Sequence, residues 1–302
     1  MAFILFICFV VICFCVFSIF GRYLDKKQIM RQVKSINDTV LVREYADNDK
    51  VELVGSTFMD NIDEDDPYLS YVKLDLIDVD FSFLIKRNDE VKGWIQIGGT
   101  DINYPFVQHN DNGYYLRRDF NRSKNRNGWM FLDYRNDISK KEKNKIVYAH
   151  SFLDSMTFDT LKDVLSDDWY KDVNNHVIKV STLNENTIWQ VFSIYRIPRT
   201  DDYLQVSFNS DYEYNKFLRL LVGRSAFNFK TDVSVDSDII TFSARYSKNE
   251  DIVMHAKLIK REVGWCEPQI VDVNKKEGLQ KYDKIHFRKE VYFYYGNKRT
   301  KV

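Results

Sequence analysis

The sequence predicts a mainly β protein: an eight-stranded β-barrel, closed or nearly closed, behind N-terminal helices and a transmembrane anchor. Three observations predict it. From Val91 onward, short apolar runs recur at regular spacing with turn residues between them. Aromatic residues, mostly Tyr and Phe, make up 15% of the 302 residues, and they suit a pleated, half-buried surface. Residues 2–20 carry no charge at all.

The N-terminal stretch comes first. Roughly 20 apolar residues in a helix cross the hydrocarbon core of a bilayer. A cleaved signal peptide has a basic start and a small-residue cleavage site, and this segment shows neither. Residues 1–21 therefore read as an uncleaved anchor, with a cleaved signal as the alternative. Arg22, Lys26 and Lys27 follow it. The positive-inside rule alone would place the C-terminal bulk in the cytoplasm.

Residues 22–90 read as a helical stalk and an acidic linker. Ile29, Val33, Ile36 and Val40 recur at helical spacing, which predicts a stalk helix over 25–44. Residues 47–67 hold Asp60, Asp63, Glu64, Asp65 and Asp66. This is a solvated acidic loop rather than a calcium loop, whose Gly and terminal Glu are not in place. Residues 68–87 have apolar positions without a clean period and predict one or two short helices.

The barrel is placed at 91–261. Its eight strands are expected at 93–97, 104–108, 129–132, 146–148, 177–180, 189–195, 239–242 and 252–258. Two helices interrupt them. In the first, 155–165, Phe158, Leu161 and Leu165 share a face; in the second, 211–222, Tyr214, Phe217, Leu218 and Leu221 do. Residues 262–302 are charged, with a β-like patch at 291–295, and form an extra hairpin or a tail.

Composition bounds the chemistry. A formal net charge of +0 gives no global field toward nucleic acid, and no nucleic-acid partner is expected. Cys8, Cys13 and Cys15 lie in the anchor, and Cys266 is the only thiol beyond it. An intramolecular disulfide in the soluble part is thus excluded. Without a CxxC or HxxxH pair, no metal site and no cofactor are expected. His109, His176, His255 and His286 read as surface or strand positions.

One stretch stands out chemically. Lys145-Ile146-Val147-Tyr148-Ala149-His150 reads as a buried strand ending on an imidazole at the rim of the sheet. An imidazole there titrates near neutrality and can act as an acid or base. The alternative is a His that only ends a strand and bonds a loop.

Several ordered motifs resemble the class B sortases. Gly93-Trp94-Ile95-Gln96-Ile97, then Gly99-Thr100-Asp101-Ile102-Asn103-Tyr104-Pro105-Phe106-Val107-Gln108, looks like the opening of that family's barrel. Asp111-Asn112, Tyr114-Tyr115-Leu116, Asp119-Phe120 and the run from Gly128 to Asn136 continue the likeness, as does the strand ending at His150. The resemblance covers residues 91–260. It implies an eight-stranded sortase-type barrel on the outer face of a Gram-positive cell membrane, held by a single span. It also implies cysteine transpeptidase chemistry, with a sorting-signal peptide of surface proteins and a peptidoglycan precursor as partners. That chemistry needs a thiolate nucleophile, a His that protonates the leaving amine, and an Arg that steadies the peptide and the oxyanion. His150 matches the family's His.

The other two positions depart from the pattern. The family's Thr-Leu-Ser-Thr-Cys strand here reads Thr241-Phe242-Ser243-Ala244-Arg245, so Arg245 stands in the Cys slot. The family's Arg slot, four residues before His255, holds Asp251. Placing a lost Cys at Ala244 instead would need a deletion, which flips every later side chain of the strand. Ser243 and Cys266 are the remaining candidate nucleophiles. Ser243 shares a face with position 245 but needs a general base, and its structural reading is a strand hydroxyl bonded to neighbouring backbone. Three functions follow: a pseudo-sortase that binds without covalent chemistry, a working sortase with an atypical nucleophile, or a non-catalytic domain with a closed groove. The first predicts Arg245 and Asp251 within ion-pair reach.

Overall fold

The computed structural model describes residues 1–45, 51–54, 67–149, 163–262, 292–295 and 298–301. Before the barrel come α1 (Ala2–Asn37), β1 (Val42–Tyr45), β2 (Val51–Leu53), α2 (Pro67–Val72), β3 (Leu76–Val79) and α3 (Ser82–Arg87). The expected anchor and stalk segments form one 36-residue helix rather than two. It stops at Asn37, short of the expected end at 44. There the Asp38 N–H turns back onto the Ile36 and Lys34 carbonyls, and the Thr39 hydroxyl donates to Ser35 O at 2.7 Å. The chain then reverses, so Val40 stays buried while Val42–Tyr45 pairs antiparallel with β3. Within the expected linker, β2 is a strand; the acidic run from Asp60 to Asp66 lies outside the described residues.

All eight expected strands are present: β4 (Val91–Ile97), β5 (Asn103–Val107), β6 (Phe131–Leu132), β7 (Asn144–Ala149), β8 (Val177–Thr182), β9 (Asn186–Pro198), β10 (Ile239–Arg245) and β11 (Glu250–Glu262). They follow the order β10-β7-β6-β5-β4-β8-β9-β11, and a further β10–β11 pairing closes the barrel. Pairs β5–β6 and β7–β10 are parallel, and the other barrel pairs are antiparallel. The short β2 adds onto the far end of β11.

Strand alternation sets the two faces. Ile240, Phe242 and Ala244 of β10 point inward and join Val147, Ala149, Ile252, Met254 and Ala256 in the main core. Ile239 and Val253 point outward into a second core, under the helix α5 (Asp211–Arg224), whose Tyr214, Phe217, Leu218 and Leu221 are buried as the sequence predicts. Ser210 caps that helix, accepting from the Glu213 N–H at 3.2 Å. Packing inside the barrel is tight: a Cβ on Gly93 would lie 2.6 Å from the Phe106 ring and 2.7 Å from Ser181 O.

Most of the expected helix 155–165 lies outside the described residues. A short helix, α4 (Asp167–Lys171), follows it, capped by Ser166. The aromatic patch at the C-terminus forms β12 (Tyr292–Tyr295), paired with β13 (Lys298–Lys301). The rest of 262–302, apart from Glu262, lies outside the described residues.

The stalk is fastened to the barrel by polar contacts. Gln28 Nε2 and Gln32 Nε2 both donate to Asp119 Oδ2 at 2.6 Å, while the Ser123 N–H takes the other oxygen at 2.9 Å. Asp119 is fully buried, so these donors replace the water that its carboxylate loses.

Candidate active site

The site is built on the outward face of β10 and its two neighbours. β10 runs in unbroken register against β11 from Ile239 to Arg245, and against β7 from Ile239 to Ala244. No bulge shifts Arg245 relative to Ser243, so Thr241, Ser243 and Arg245 share one face. Their Cα partners on β11 are His255, Val253 and Asp251, and Ser243 lies opposite Tyr148 of β7.

Arg245 and Asp251 meet as expected: Arg245 Nε lies 3.4 Å from Asp251 Oδ1. The pair is close but poorly aligned, since Arg245 Nε is buried without a hydrogen-bond partner. Arg199 Nε approaches the other Asp251 oxygen at 4.0 Å, and the Tyr203 hydroxyl donates to it at 3.4 Å. Burial raises the Asp251 carboxyl above its ordinary range, outweighing Arg245 and Arg199.

Ser243 is bonded to a side chain, not to the backbone as its structural reading supposed. Its Oγ lies 2.9 Å from the hydroxyl of Tyr203, itself buried by the outward packing of the β9–α5 loop. Burial pushes the Tyr203 phenol up, so it stays neutral. With the phenol donating to Asp251, the serine donates to the phenol. A neutral phenol is no general base for a hydroxyl nucleophile.

Below this row the polar chain is complete. Tyr195 OH and Thr241 Oγ1 each lie 2.9 Å from one nitrogen of His255, and Thr241 Oγ1 donates to Asn144 Oδ1 at 2.7 Å. Asn144 Nδ2 donates to Gln205 O at 2.9 Å, which fixes the amide orientation. Thr241 has one proton and spends it on Asn144, so His255 Nδ1–H donates to Thr241 and Nε2 accepts from Tyr195. Burial, with Arg224 nearby, pushes the His255 imidazole down to about 3. It is a neutral strut with no lone pair left for Ser243.

The wall beyond β7 is held by Asp133, just after β6. Its carboxylate accepts from Tyr148 OH and Asn112 Nδ2 at 2.9 Å and from Arg135 at 2.8 Å. Arg135 also donates to Leu204 O at 3.0 Å, tying the loop that carries Tyr203 to this wall. Burial raises the Asp133 carboxyl, but Arg135 and its other donors bring it below the usual range.

Of the site residues expected from sequence, Ser243, Arg245 and Asp251 come together. His150 and Cys266 lie outside the described residues. Among the described residues no group of His, Cys, Asp and Glu is arranged to hold a metal ion. His109 pairs with Glu90 at 2.5 Å and His255 is a strand position, but His176 is neither surface nor strand: it is buried in the 3-10 turn before β8, with Nε2 2.9 Å from Tyr170 O; His286 lies outside the described residues. Sequence reasoning missed Tyr203 and Arg199. Both sit in a polar loop with no period, and their only signal is that they follow a strand that pairs with β11.

The pair has a stability consequence. Arg245→Ala leaves Asp251 half-buried without its nearest cation and is expected to cost about 1–2 kcal/mol, the lower part of the range because Arg245 is partly exposed. Asp251→Asn is expected to stay within about 1 kcal/mol of the parent at neutral pH, because it removes a carboxylate whose burial is unfavourable. The Asp251 carboxyl is raised on folding, so its unfavourable charge is absent in acid and appears as pH rises. The Arg245→Ala loss should therefore grow between pH 4 and pH 8 in urea denaturation.

A closed, mixed eight-strand barrel with parallel β7 and β10 side by side is the architecture of a sortase-type barrel. No protein-family model matches the chain. Sortase B of Staphylococcus aureus is 35% identical over 184 residues, 60% of this chain and 75% of that relative. The crystal structure of sortase B from B. anthracis superposes with a TM-score of 0.61 at 29% identity, covering 80% of this chain and 99% of that one. A Staphylococcus aureus sortase B–substrate complex superposes with a TM-score of 0.56 at 35% identity, over 60% of this chain and 84% of that one. The chain belongs to the class B sortase family.

Proposed function

We propose that this chain is a pseudo-sortase: a membrane-anchored class B sortase barrel that binds a sorting-signal peptide without forming a thioester. The observation that carries the reading is the Arg245–Asp251 pair at 3.4 Å, standing where the family places its thiol and guanidinium. No Cys occurs between Cys15 and Cys266, so no slip of alignment supplies the nucleophile within the barrel. Ser243 is engaged by a neutral phenol, which speaks against it as a substitute. His150 matches the family's His in sequence and directly follows Ala149 at the end of β7. Without a thiolate to serve, its imidazole would act as a hydrogen-bonding group for a bound peptide.

The membrane part of the reading rests on α1, which is long and apolar enough to cross a bilayer. An extracytoplasmic barrel at the cell surface follows the family, against the weak positive-inside signal of Arg22, Lys26 and Lys27. A peptidoglycan precursor is the second partner the family implies. A non-catalytic domain with a closed groove is the other reading that an observation favours, because buried Tyr203 covers Ser243.

The test is incubation of the full chain with a fluorescent sorting-signal peptide and an amine acceptor. Saturable binding with no acyl-enzyme in the intact mass is the expected result. An acyl adduct overturns the reading, and its loss in Cys266→Ser or Ser243→Ala would identify the nucleophile. Absence of binding favours the closed groove.

A further inference from the structure

The formal charges of the chain cancel, yet they are not spread evenly. Where α1 leaves its apolar stretch, a cleft of about 420 Å³ opens between α1 and the end of α3, lined by Leu24, Lys27, Gln28, Arg31, Gln32 and Arg87. Three of the six are cations and none is an anion. Asp119, which Gln28 and Gln32 contact, is fully buried and already accepts from both of them and from the Ser123 N–H. Among the described residues, Lys27, Arg31 and Arg87 form no ion pair. The Arg87 Nε instead donates to Asn121 at 2.6 Å, and its guanidinium lies over the Phe83 and Phe120 rings.

A second observation adds an acceptor. Gln32 is 7% exposed, and its Oε1 is buried without a hydrogen-bond partner. Leaving such an acceptor unmade costs about 1–3 kcal/mol. The cleft thus offers positive charge, and one of the residues lining it carries an unpartnered buried acceptor. That combination fits an anion carrying a hydroxyl donor.

Position along the helix names the source. Residues 2–21 supply about 30 Å of helix, enough for the hydrocarbon core. At about 1.5 Å per residue, Leu24 to Arg31 then fall about 5–15 Å beyond it, in and just above the headgroup layer. Side chains of a helix lean toward its N-terminus, here the membrane end, so Lys27 and Arg31 reach back toward the lipid. The barrel itself comes down to this level. Arg126 packs over Gly21 and pairs with Asp25 at 3.4 Å, and Asn125 Nδ2 donates to Asp25 O at 3.0 Å. The same loop exposes Arg117 and Lys124.

We propose that this cleft binds the headgroup of an anionic glycerophospholipid, with the phosphodiester held by Lys27, Arg31 and Arg87 and a glycerol hydroxyl donating to Gln32 Oε1. The bound lipid fixes the tilt of the barrel on the membrane and so the height of the peptide face above it. This rests on the anchor reading of α1.

The experiment is native mass spectrometry of the detergent-solubilised full chain with phosphatidylglycerol, phosphatidylcholine and phosphatidylmethanol, which has the charge of phosphatidylglycerol but no hydroxyl. Phosphatidylglycerol should be retained at least ~10-fold over phosphatidylcholine and about 3–10-fold over phosphatidylmethanol. Lys27→Gln/Arg31→Gln/Arg87→Gln should fall to the phosphatidylcholine level. Lys141→Gln/Lys171→Gln/Lys216→Gln, which removes the same charge elsewhere, should not. Equal retention of phosphatidylglycerol and phosphatidylcholine overturns the site, and equal retention of the two anionic lipids overturns the role of Gln32. Displacement of the lipid by millimolar glycerophosphate overturns the membrane as its source. Alkaline carbonate extraction of membranes tests the anchor by itself: release of the parent chain defeats that reading whatever lipid selectivity is found.

Discussion

Arg245→Cys combined with Asp251→Arg is expected to give an acyl-enzyme with a sorting-signal peptide, where the parent chain gives none. The two positions are Cα partners across β10 and β11, and their side chains already meet. A thiol at 245 would have a guanidinium beside it, which favours the thiolate, and the same guanidinium would face the oxyanion. Arg245→Cys alone should do far worse. It would set the new thiol beside the Asp251 carboxylate, whose charge raises the thiol and keeps it protonated. Loss of one oxyanion donor costs about 10²–10³ in rate, so the double variant should exceed the single one by at least ~100-fold. The measurement is intact mass after incubation with peptide, then amine-dependent turnover. A double variant that binds peptide and stays inert would mean that the groove no longer presents the carbonyl to position 245. Adding His150→Ala should then abolish turnover in an active double variant, because the leaving amine loses its acid.

The strands and the site were legible in the sequence to different depths. The eight strands announce themselves through short apolar runs with turns between them, and each is local. Their pairing is not local: nothing in 146–148 and 239–242 says that these runs lie parallel and side by side, because the register is decided by the closure of the whole barrel. β3 was hidden because Leu76–Val79 is only four residues long and sits between two helical turns. The helical period from Ile29 to Val40 ran past the true end at Asn37. Val40 is buried from the turn that follows, so periodicity by itself could not separate the two cases. At the site, Arg245 and Asp251 were readable only through the family resemblance, and their contact followed from strand alternation. Tyr203 and the buried Asp119 were not readable, since each is a polar residue in a loop whose partner lies 40 or more residues away.

Lowering the pH from 7 to 4.5 is expected to destabilise the parent strongly, and His255→Gln should remove much of that loss. His255 is fully buried between β9 and β10, and both ring nitrogens are engaged: Nδ1–H donates to Thr241, and Nε2 accepts from Tyr195. A proton on Nε2 would meet the Tyr195 hydroxyl donor head on and place a charge where water cannot reach it. The folded imidazole titrates at about 3, whereas an exposed one titrates near 6.5. A base depressed on folding binds its proton more readily when unfolded. The stability it contributes is therefore full above about pH 6.5 and is lost as pH falls toward 3. At pH 4.5 the gap of about two units between pH 4.5 and the unfolded value corresponds to a loss on the order of 2–3 kcal/mol. Gln at 255 keeps an amide donor for Thr241 and an acceptor for Tyr195 but does not titrate. It should cost about 1–2 kcal/mol at neutral pH, since its amide fills less of the space between the Phe192 and Tyr195 rings. Its acid slope in urea denaturation should be shallower than that of the parent. Equal slopes would show that the acid sensitivity lies in the carboxylates, with Asp133 the first to examine, and that His255 takes up its proton without breaking the chain from Tyr195 to Asn144.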